Sequence, residues 1–163
     1  MPNNNYEITP VTREDLELIL YMRNKEYVRK SMIDQRSISS DDHKKWFTGM
    51  LRDKTKAYFI FNINKVPAGV IGFYNLSRDS FANWSFYLGV DNTPKGAGTN
   101  MCQLGLENLF KNTDALGIRT MILNNNHASI KIHKKLGFSK RNTECENGQS
   151  QFELTREAWI DRN

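Results

Sequence analysis

Two glycines one residue apart lie between a run of β-forming residues and an apolar pattern typical of a helix. The loop is Lys95-Gly96-Ala97-Gly98-Thr99-Asn100; the strand-like run before it is Trp84–Val90, and the helical pattern after it is Met101–Phe110. A helix that begins at such a turn directs unpaired backbone N–H groups at one point, and its dipole adds positive charge there. The loop therefore predicts a binding site for an anion such as a pyrophosphate, with plain packing of a tight turn as the alternative.

A second segment, further along the chain, carries a histidine on the inner face of a predicted helix. In the segment Asn126–Phe138, the side chains of Ile130, His133 and Leu136 share one helical face. Gly137 is expected to end this helix in a left-handed conformation. A titratable group is thereby predicted to face the sheet.

Together the two segments resemble the GCN5-related N-acetyltransferases. Members of that family carry a Gly-x-Gly pyrophosphate loop and a later Asn-x-x-Ala/Ser-x-x-x-Tyr-x-x-x-Gly-Phe segment. Asn126, Ser129, Gly137 and Phe138 match the second segment, and His133 stands where most members have tyrosine. The resemblance implies an acyltransferase that uses acetyl-CoA as its acetyl donor.

The resemblance also implies which residues bind acetyl-CoA. In similar enzymes two parallel strands splay apart, the gap receives the pantetheine arm, and a strand N–H, here that of Leu88, polarises the acetyl carbonyl. Gly89 is interpreted as a bulge or a close approach by the ligand, with a plain strand glycine as the alternative. Thr93 departs from the usual Gln or Arg, and Lys95 is expected to compensate as a point charge. The implied acetyl-CoA-binding residues are Leu88, Gly89, Val90, Lys95, Gly96, Ala97, Gly98, Thr99, Asn100, Asn126, Ser129 and His133.

Catalysis is expected to involve His133, Leu88 and Ser85. His133 is the candidate general acid, because an imidazolium is more acidic than the departing thiol; a neutral core histidine is the alternative. No residue stands out as the general base, for which Ser85, His43 and an ordered water are the candidate relays. The two cysteines, Cys102 and Cys145, have no metal-ligand spacing, and no metal is predicted.

The acceptor amine is expected to bind the N-terminal half. An arginine among several aromatic residues suits stacking on a nucleobase and clamping of a diphosphate, although each aromatic taken singly also fits a core position. The candidate acceptor-binding residues are Arg23, Asn24, Met32, His43, Trp46, Tyr74 and Trp84.

Across Leu16–Phe138 the chain is similar to one branch of the acetyltransferases. The matching segments are Met22-Arg23-Asn24, Ile38-Ser39 with His43 and Trp46, Tyr58-Phe59-Ile60-Phe61, Gly69-Val70-Ile71-Gly72-Phe73 and Lys95-Gly96-Ala97-Gly98. The branch acetylates the 4-amino group of UDP-4-amino-4,6-dideoxy-N-acetyl-β-L-altrosamine by direct attack of the amine on the thioester. The resemblance therefore implies a nucleotide-sugar acceptor and a step of pseudaminic acid biosynthesis, which serves flagellin glycosylation.

Two alternatives stay open. A ribosomal-protein or peptide N-terminal acetyltransferase of the same fold would need an acidic groove, whereas the chain has a basic cluster before its second main helix. A non-enzymatic module that binds nucleic acid through that cluster would not need the glycine loop. The cluster consists of Arg23, Lys25, Arg29, Lys30 and Arg36. An anionic small molecule is preferred over both, so no nucleic-acid or membrane partner is expected.

The periodicity predicts how these residues are positioned. The predicted strands are Tyr6–Thr9, Tyr58–Ile63, Val66–Leu76, Phe81–Val90, Thr120–Leu123, Ser139–Glu144 and Gln151–Thr155. The predicted helices are Arg13–Met22 with Thr12 as N-cap, His43–Leu51 opened by Ser39 and Asp42, Met101–Phe110 and the segment after Asn126. A tight Asn64-Lys65 turn joins a hairpin, and Glu146-Asn147-Gly148 is a second turn. This order predicts an α/β fold of the GNAT type, with a mixed, mostly antiparallel sheet flanked by helices and splayed between the fourth and fifth strands.

Length and composition agree with a single enzyme domain. The 163 residues are 39% hydrophobic and 25% charged, with a net charge of +5 that suits phosphate-bearing ligands. We expect one N-acetyltransferase domain over residues 1–163, with the acceptor site mainly in 20–85 and the acetyl-CoA site mainly in 86–138. Because the sequence has no membrane-length apolar run, no apolar leader and only two cysteines, a cytoplasmic location is expected. The oligomeric state stays open, a homodimer included.

Overall fold

A single sheet of seven strands organises the chain. The structure is a computed structural model that describes residues 3–142 and 147–163. The strands are β1 Tyr6–Pro10, β2 Ala57–Ile63, β3 Val66–Tyr74, β4 Phe81–Leu88, β5 Gly117–Leu123, β6 Ser139–Lys140 and β7 Gln149–Thr155. The helices are α1 Leu16–Arg23, α2 Glu26–Lys30, α3 Ser40–Arg52, α4 Ala97–Asn112, α5 His127–Lys135 and α6 Arg156–Arg162. The strand order is β1-β2-β3-β4-β5-β7-β6.

The sheet is antiparallel except at its centre. Strands β1 to β4 form an antiparallel meander, and β5 pairs antiparallel with β7 along its whole length. The β2–β3 hairpin turns at Asn64 and Lys65, which both have positive φ (52° and 68°), as a type I′ turn requires. Between β4 and β5 the pairing is parallel and covers only two rungs. The predicted mixed, mostly antiparallel fold with a splay at this point is confirmed.

Helices cover both faces of the sheet. On one face α4 and α5 pack on alternate residues of β3 and β4, with Met101, Leu106 and Trp84 buried between them. On the other face α1 and α3 bury Met22 and Phe47 against β2, β3 and the alternate residues of β4. Since successive side chains of a strand point to opposite faces, β4 contributes to both cores.

Local capping signals fix the helix ends near their predicted positions. A capping box joins Thr12 to Asp15, although the first turn after it is a 3₁₀ turn, Arg13–Asp15, and the α-helix begins only at Leu16. The Ser39 side chain accepts a hydrogen bond from Asp42 N at 3.1 Å and opens α3. Gly137 has a φ of 96° and ends α5 as predicted.

Two helices are absent from the sequence-based prediction. α2 spans five residues and α6 seven, so each is too short to show a periodic apolar face. The predicted strand Ser139–Glu144 is observed as the shorter β6; its residues 143 and 144, together with Glu146 of the predicted turn, lie outside the described residues. Within residues 3–142 and 147–163, none of the helices has both the length and the apolarity needed to cross a membrane.

Candidate active site

The centre of the sheet is open. The β4–β5 ladder contains the pairs Phe81–Gly117 and Ala82–Ile118, and the described chain continues it no further. On β4, Gly89 N donates to Ala68 O on the β3 side at 2.8 Å. Because backbone groups alternate in direction along an antiparallel strand, those of Leu88 point away from β3 and into the gap.

The other side of the gap is built in the same way. Asn124 N donates to Gly148 O at 2.8 Å, at the end of the β5–β7 ladder. By the same alternation, the backbone groups of Met121 and Leu123 face β4. The gap is therefore bordered by two rows of strand N–H and C=O groups, which suit a ligand with amide groups of its own.

A cleft of about 470 Å³ runs through this gap. Its walls come from β4 and β5, from α1 and α2 with the segment after α2, and from the beginnings of α4 and α5. The residues that line the cleft include Arg23, Tyr27, Ser31, Met32, Asp34, Tyr74, Asn83, Trp84, Ser85, Tyr87, Leu88, Gly98, Met121, Leu123, Asn126, Ser129, Ile132 and His133.

Helix α4 begins at the predicted glycine loop without a side-chain cap. Gly96 stands at its N-cap with a φ of 87°. Ala97 N donates to Pro94 O and Asn100 N to Gly96 O, whereas within the described chain no hydrogen bond uses the N–H of Gly98 or Thr99. Gly98 borders the cleft. The beginning of α4 is therefore a set of available donors at a positive dipole end, which suits a phosphate group.

Other loop residues have structural contacts. The Asn100 side chain donates to Gly96 O at 2.9 Å and so stabilises the turn itself. Ala97 is buried, whereas Lys95 and Gly96 are exposed at the surface and Thr99 is half-buried. Any ligand phosphate at this loop would therefore meet backbone donors and the Lys95 ammonium.

Asn126 joins the two halves of the cleft. Its Oδ1 accepts from Ser129 N at 3.2 Å and caps α5, while its Nδ2 donates to Ser31 O at 3.3 Å in the segment after α2. Both residues line the cleft. Asn126 therefore ties the N-terminal wall of the cleft to the helix that carries Ser129 and His133.

The structure does not support His133 as a general acid. The ring is 1% exposed, its Nδ1 lies 2.7 Å from Ser129 O and 3.3 Å from Ser129 Oγ, and its Nε2 accepts a hydrogen bond from Trp84 Nε1 at 3.1 Å. Nδ1 therefore carries the proton and donates to the Ser129 carbonyl, which leaves Nε2 as an acceptor. Burial lowers the pKa of His133 from 6.5 to about 4, only partly opposed by the bond to Ser129. The neutral core histidine is the interpretation that the structure favours.

The predicted site residues at the end of β4 and just after it have different roles. The N–H of Leu88 faces the gap, as expected for a donor to an acetyl carbonyl. The glycine at position 89 is explained by helix packing and not by the predicted approach of a ligand. A Cβ there would lie 2.5 Å from the side chain of Met22, so glycine is required for the packing of α1. Val90 packs against the core under α4. Ser85 lines the cleft.

Four of the predicted acceptor-binding residues line the cleft: Arg23, Met32, Tyr74 and Trp84. Arg23 Nη2 donates to Asp34 O at 3.0 Å, while its Nη1 is buried and has no hydrogen-bond partner among the described residues. Burial lowers the pKa of the Arg23 guanidinium, an effect opposed by Tyr87 and Asp34. A buried guanidinium N–H without an acceptor is costly, so this atom is suited to meet an oxygen of a bound molecule.

The other three predicted acceptor residues have structural roles, and none of them lines the cleft. Asn24 donates to Ile38 O and accepts from Ile38 N, both at 2.8 Å, so its amide fixes the segment before α3. His43 is buried, and its Nε2 lies 2.8 Å from Leu16 O, which ties α3 to α1. Trp46 packs edge-on against Tyr58 with ring centroids 5.2 Å apart.

Several residues of the cleft were missed at the level of sequence. Tyr27 and Asp34 belong to α2 and the segment after it, where no periodic pattern marks a wall of a site. Tyr87 and Asn83 share with Ser85 the face of β4 opposite to Trp84, and period-2 alternation from Ser85 would have predicted both. Burial raises the pKa of the Tyr87 hydroxyl, which is therefore a neutral donor in the cleft.

Comparison with known proteins identifies the class. Residues 6–139 match the model of the Acetyltransferase (GNAT) domain family, which covers most of the chain. The chain therefore belongs to the GNAT acetyltransferase family. This confirms the predicted enzyme class, an N-acetyltransferase with acetyl-CoA as the acetyl donor. A comparison with curated protein sequences gives no match.

Solved structures share the fold at low identity. The spermidine N-acetyltransferase from Vibrio cholerae, in complex with CoA and spermine, is 13% identical with a TM-score of 0.86, over 95% of this chain and 98% of that one. The aminoglycoside acetyltransferase AAC(6')-Ib in complex with coenzyme A is 18% identical with a TM-score of 0.82, over 98% and 100% of the two chains. The N-acetyltransferase PseH from Campylobacter jejuni is 17% identical with a TM-score of 0.70, over 93% and 98%. These similarities establish the fold and leave the acceptor undetermined.

We predict that His133 makes stability depend on pH. Because its pKa is lowered from 6.5 to about 4 in the folded state, the unfolded chain binds the extra proton between these values. The stabilisation is complete above pH 6.5 and is lost as the pH falls toward 4, an effect of about 3 kcal/mol. His133→Gln keeps an oxygen that can accept from Trp84 but cannot titrate. Urea unfolding between pH 7 and 4.5 should show a steeper loss for the wild type than for this variant; equal slopes would contradict the assignment.

We predict that Gly98→Val weakens coenzyme binding. A Cβ at Gly98 would lie 3.1 Å from Ile132 Cδ1, so the branched side chain must crowd either α5 or the cleft. Calorimetry should show a Kd for CoA raised by roughly tenfold or more, since such crowding costs about 1–3 kcal/mol. Gly49→Val is the matched control, because a Cβ there meets nothing within 4 Å. A normal Kd in the folded Gly98 variant would show that the loop does not carry the coenzyme site.

Proposed function

We propose that this acetyltransferase acts on the 4-amino group of a UDP-linked 4-amino-4,6-dideoxy sugar, UDP-4-amino-4,6-dideoxy-N-acetyl-β-L-altrosamine, in pseudaminic acid biosynthesis. The observation that carries the proposal is the Arg23 guanidinium, which lines the cleft and whose buried Nη1 has no hydrogen-bond partner in the described part of the chain. Such a group is suited to an anionic acceptor and is unfavourable for a polyamine or an aminoglycoside.

The donor half of the site fits acetyl-CoA. When bound, acetyl-CoA supplies an acetyl group activated as a thioester. The N–H groups of Gly98 and Thr99, which have no hydrogen-bond partner among the residues that the structure describes, suit its pyrophosphate together with the nearby Lys95. The strand edges at Leu88, Met121 and Leu123 suit the amides of its pantetheine arm. In this arrangement Leu88 N–H would polarise the acetyl carbonyl, a contribution of roughly 3 kcal/mol for a preorganised donor in a dry cleft.

The charge of the acceptor half supports an anion. Asp34 is the carboxylate of the cleft wall, and its carboxylate oxygens accept from Arg36 Nε and Nη2 at 3.0 and 2.8 Å. These hydrogen bonds hold the pKa of Asp34 well below its usual range, and the Arg36 guanidinium balances the charge of the carboxylate. Lys30 is paired with Glu26 at 2.9 Å. Among the described residues that line the cleft, Arg23 is therefore the cation available to an anionic ligand.

Aromatic surfaces beside Arg23 support a nucleotide. Tyr27 borders the cleft and is 46% exposed, with the Lys25 ammonium 5.9 Å from its ring centroid. A ring presented in this way offers a stacking surface for a nucleobase, and the lysine adds a charge for a phosphate. Tyr74 and Tyr87 supply neutral hydroxyl donors deeper in the cleft, suited to sugar oxygens.

The reaction needs a neutral amine and a path for its proton. A 4-amino group on a sugar is less basic than a lysine amine, so a strong base is unnecessary. Ser85 lines the cleft on the same face of β4 as Tyr87, and within the described residues its hydroxyl has no hydrogen-bond partner. We assign Ser85 the relay of the amine proton to water, and the thiolate released when the C–S bond breaks takes up a proton from water. His133 has no part in proton transfer, because both its ring nitrogens are occupied within the fold.

An acceptor panel tests the proposal directly. Free-thiol release from acetyl-CoA should be measured with the UDP-4-amino sugar, with spermidine, with an aminoglycoside and with a basic peptide. We expect turnover of the nucleotide sugar to exceed that of each cationic acceptor at least tenfold in kcat/KM. Preferential acetylation of the peptide would establish the N-terminal acetyltransferase alternative, and preferential acetylation of spermidine or the aminoglycoside would also overturn the proposal.

We predict that Arg23→Ala acts selectively on the acceptor. Removing the guanidinium should raise the KM of the nucleotide sugar by tenfold or more, as expected for a lost charge-assisted hydrogen bond, while the KM of acetyl-CoA changes less than twofold. Lys30→Ala is the control for general charge, because Lys30 is exposed and paired with Glu26. Equal changes in the two KM values for Arg23→Ala would remove this residue from the acceptor site.

A further inference from the structure

Asn83 lies where the β4–β5 ladder ends. The last pair of the ladder is Ala82–Ile118, and Asn83 is the next residue of β4. Its Nδ2 donates to Arg119 O at 2.8 Å, across the point at which the strands diverge. The side chain borders the cleft.

This hydrogen bond occupies the acceptor that the ladder would use next. In a parallel ladder, the backbone N–H and C=O of one residue bond to the two residues that flank its partner on the other strand. Ala82 is paired with Ile118, so its backbone groups bond to Gly117 and Arg119. The next rung would join Trp84 N–H to Arg119 O. Because the Asn83 amide donates to that oxygen, Trp84 N–H stays directed into the gap.

The orientation of the Asn83 amide is fixed from both ends. A carbonyl can only accept, so the atom beside Arg119 O must be Nδ2. On the other side, Asn83 Oδ1 accepts from Asn75 Nδ2 at 2.5 Å. Arg119 is itself held on β5, because its Nε donates to Glu153 Oε2 at 2.6 Å and its guanidinium lies 3.9 Å from the Phe81 ring centroid.

We propose that Asn83 is a positioning residue that ends the parallel ladder and keeps β4 and β5 apart at the closed end of the acetyl-CoA gap. Without its amide, Trp84 N–H pairs with Arg119 O, the ladder extends by a rung and the gap narrows. The inference rests on acetyl-CoA as the donor and is independent of the acceptor, so the acceptor panel can fail without affecting it.

The first test is coenzyme binding. Asn83→Asp keeps the size of the side chain and can still accept from Asn75, but it cannot donate to Arg119 O. We expect calorimetry to give a Kd for CoA at least roughly tenfold above that of the wild type for both Asn83→Asp and Asn83→Ala. The matched control is Asn62→Ala: Asn62 is likewise a strand asparagine whose Nδ2 joins two strands, donating to Thr9 Oγ1 at 3.1 Å, but it is more deeply buried than Asn83 and lies outside the cleft.

The second readout separates positioning from stability. In Asn83→Ala, the amide hydrogen exchange of Trp84 should slow by tenfold or more, because this N–H gains a partner on β5. Weakened CoA binding in the Asn83 variants alone, together with slower Trp84 exchange, supports the proposal. A Kd within twofold of the wild type, a loss of affinity shared equally by Asn62→Ala, or unchanged Trp84 exchange would overturn it. Should Asn83→Asp fail to fold, Asn83→Ala carries both readouts.

Discussion

The short parallel pairing of β4 with β5 is the constraint on which the rest of the structure depends. A strand edge that is buried without partners is costly, so two unpaired edges persist only where water or a ligand reaches them. The cleft supplies that access: the backbone groups at Leu88, Met121 and Leu123 all border it. A continuous seven-stranded sheet would satisfy these groups internally and leave no site.

Aromatic packing holds β4 in place beside the gap. The Trp84 ring stacks on Phe138 with centroids 5.3 Å apart, and its indole N–H would be an orphaned buried donor without an acceptor. His133 Nε2 supplies that acceptor, and the Ser129 carbonyl fixes the tautomer that makes it one. The histidine at the position where similar enzymes have tyrosine is therefore a structural partner of a strand that forms the site. Its neutral state follows from that task, because an imidazolium could not accept from an indole.

Sequence reasoning succeeds where the cause is local. The Asn64-Lys65 turn, the Ser39 cap, the left-handed Gly137 and the loop of Gly96 and Gly98 are each fixed by a few neighbouring residues, and each is observed. It fails where a polar side chain has a partner that is distant in sequence. His43 finds Leu16 O, which is 27 residues away, and Asn24 finds Ile38, so neither is free for a substrate although both have suitable chemistry. Gly89 is a further case, since its small size serves Met22 of α1.

One half of the site consists mainly of backbone groups and the other mainly of side chains, and this difference decides what each half can recognise. The donor half presents backbone groups of a strand, a gap and a helix beginning, which any sequence that adopts the fold can supply. The proposed acceptor half presents side chains, chiefly Arg23, Tyr27, Tyr74 and Tyr87, which come from α1, α2, β3 and the face of β4 that packs against α1 and α3. Asn126 is the link between them, since it caps α5 and donates to Ser31 O in the N-terminal wall. Changes of acceptor within one fold can therefore arise in the side chains of α1, α2 and the Tyr87 face of β4 while the acetyl donor remains the same.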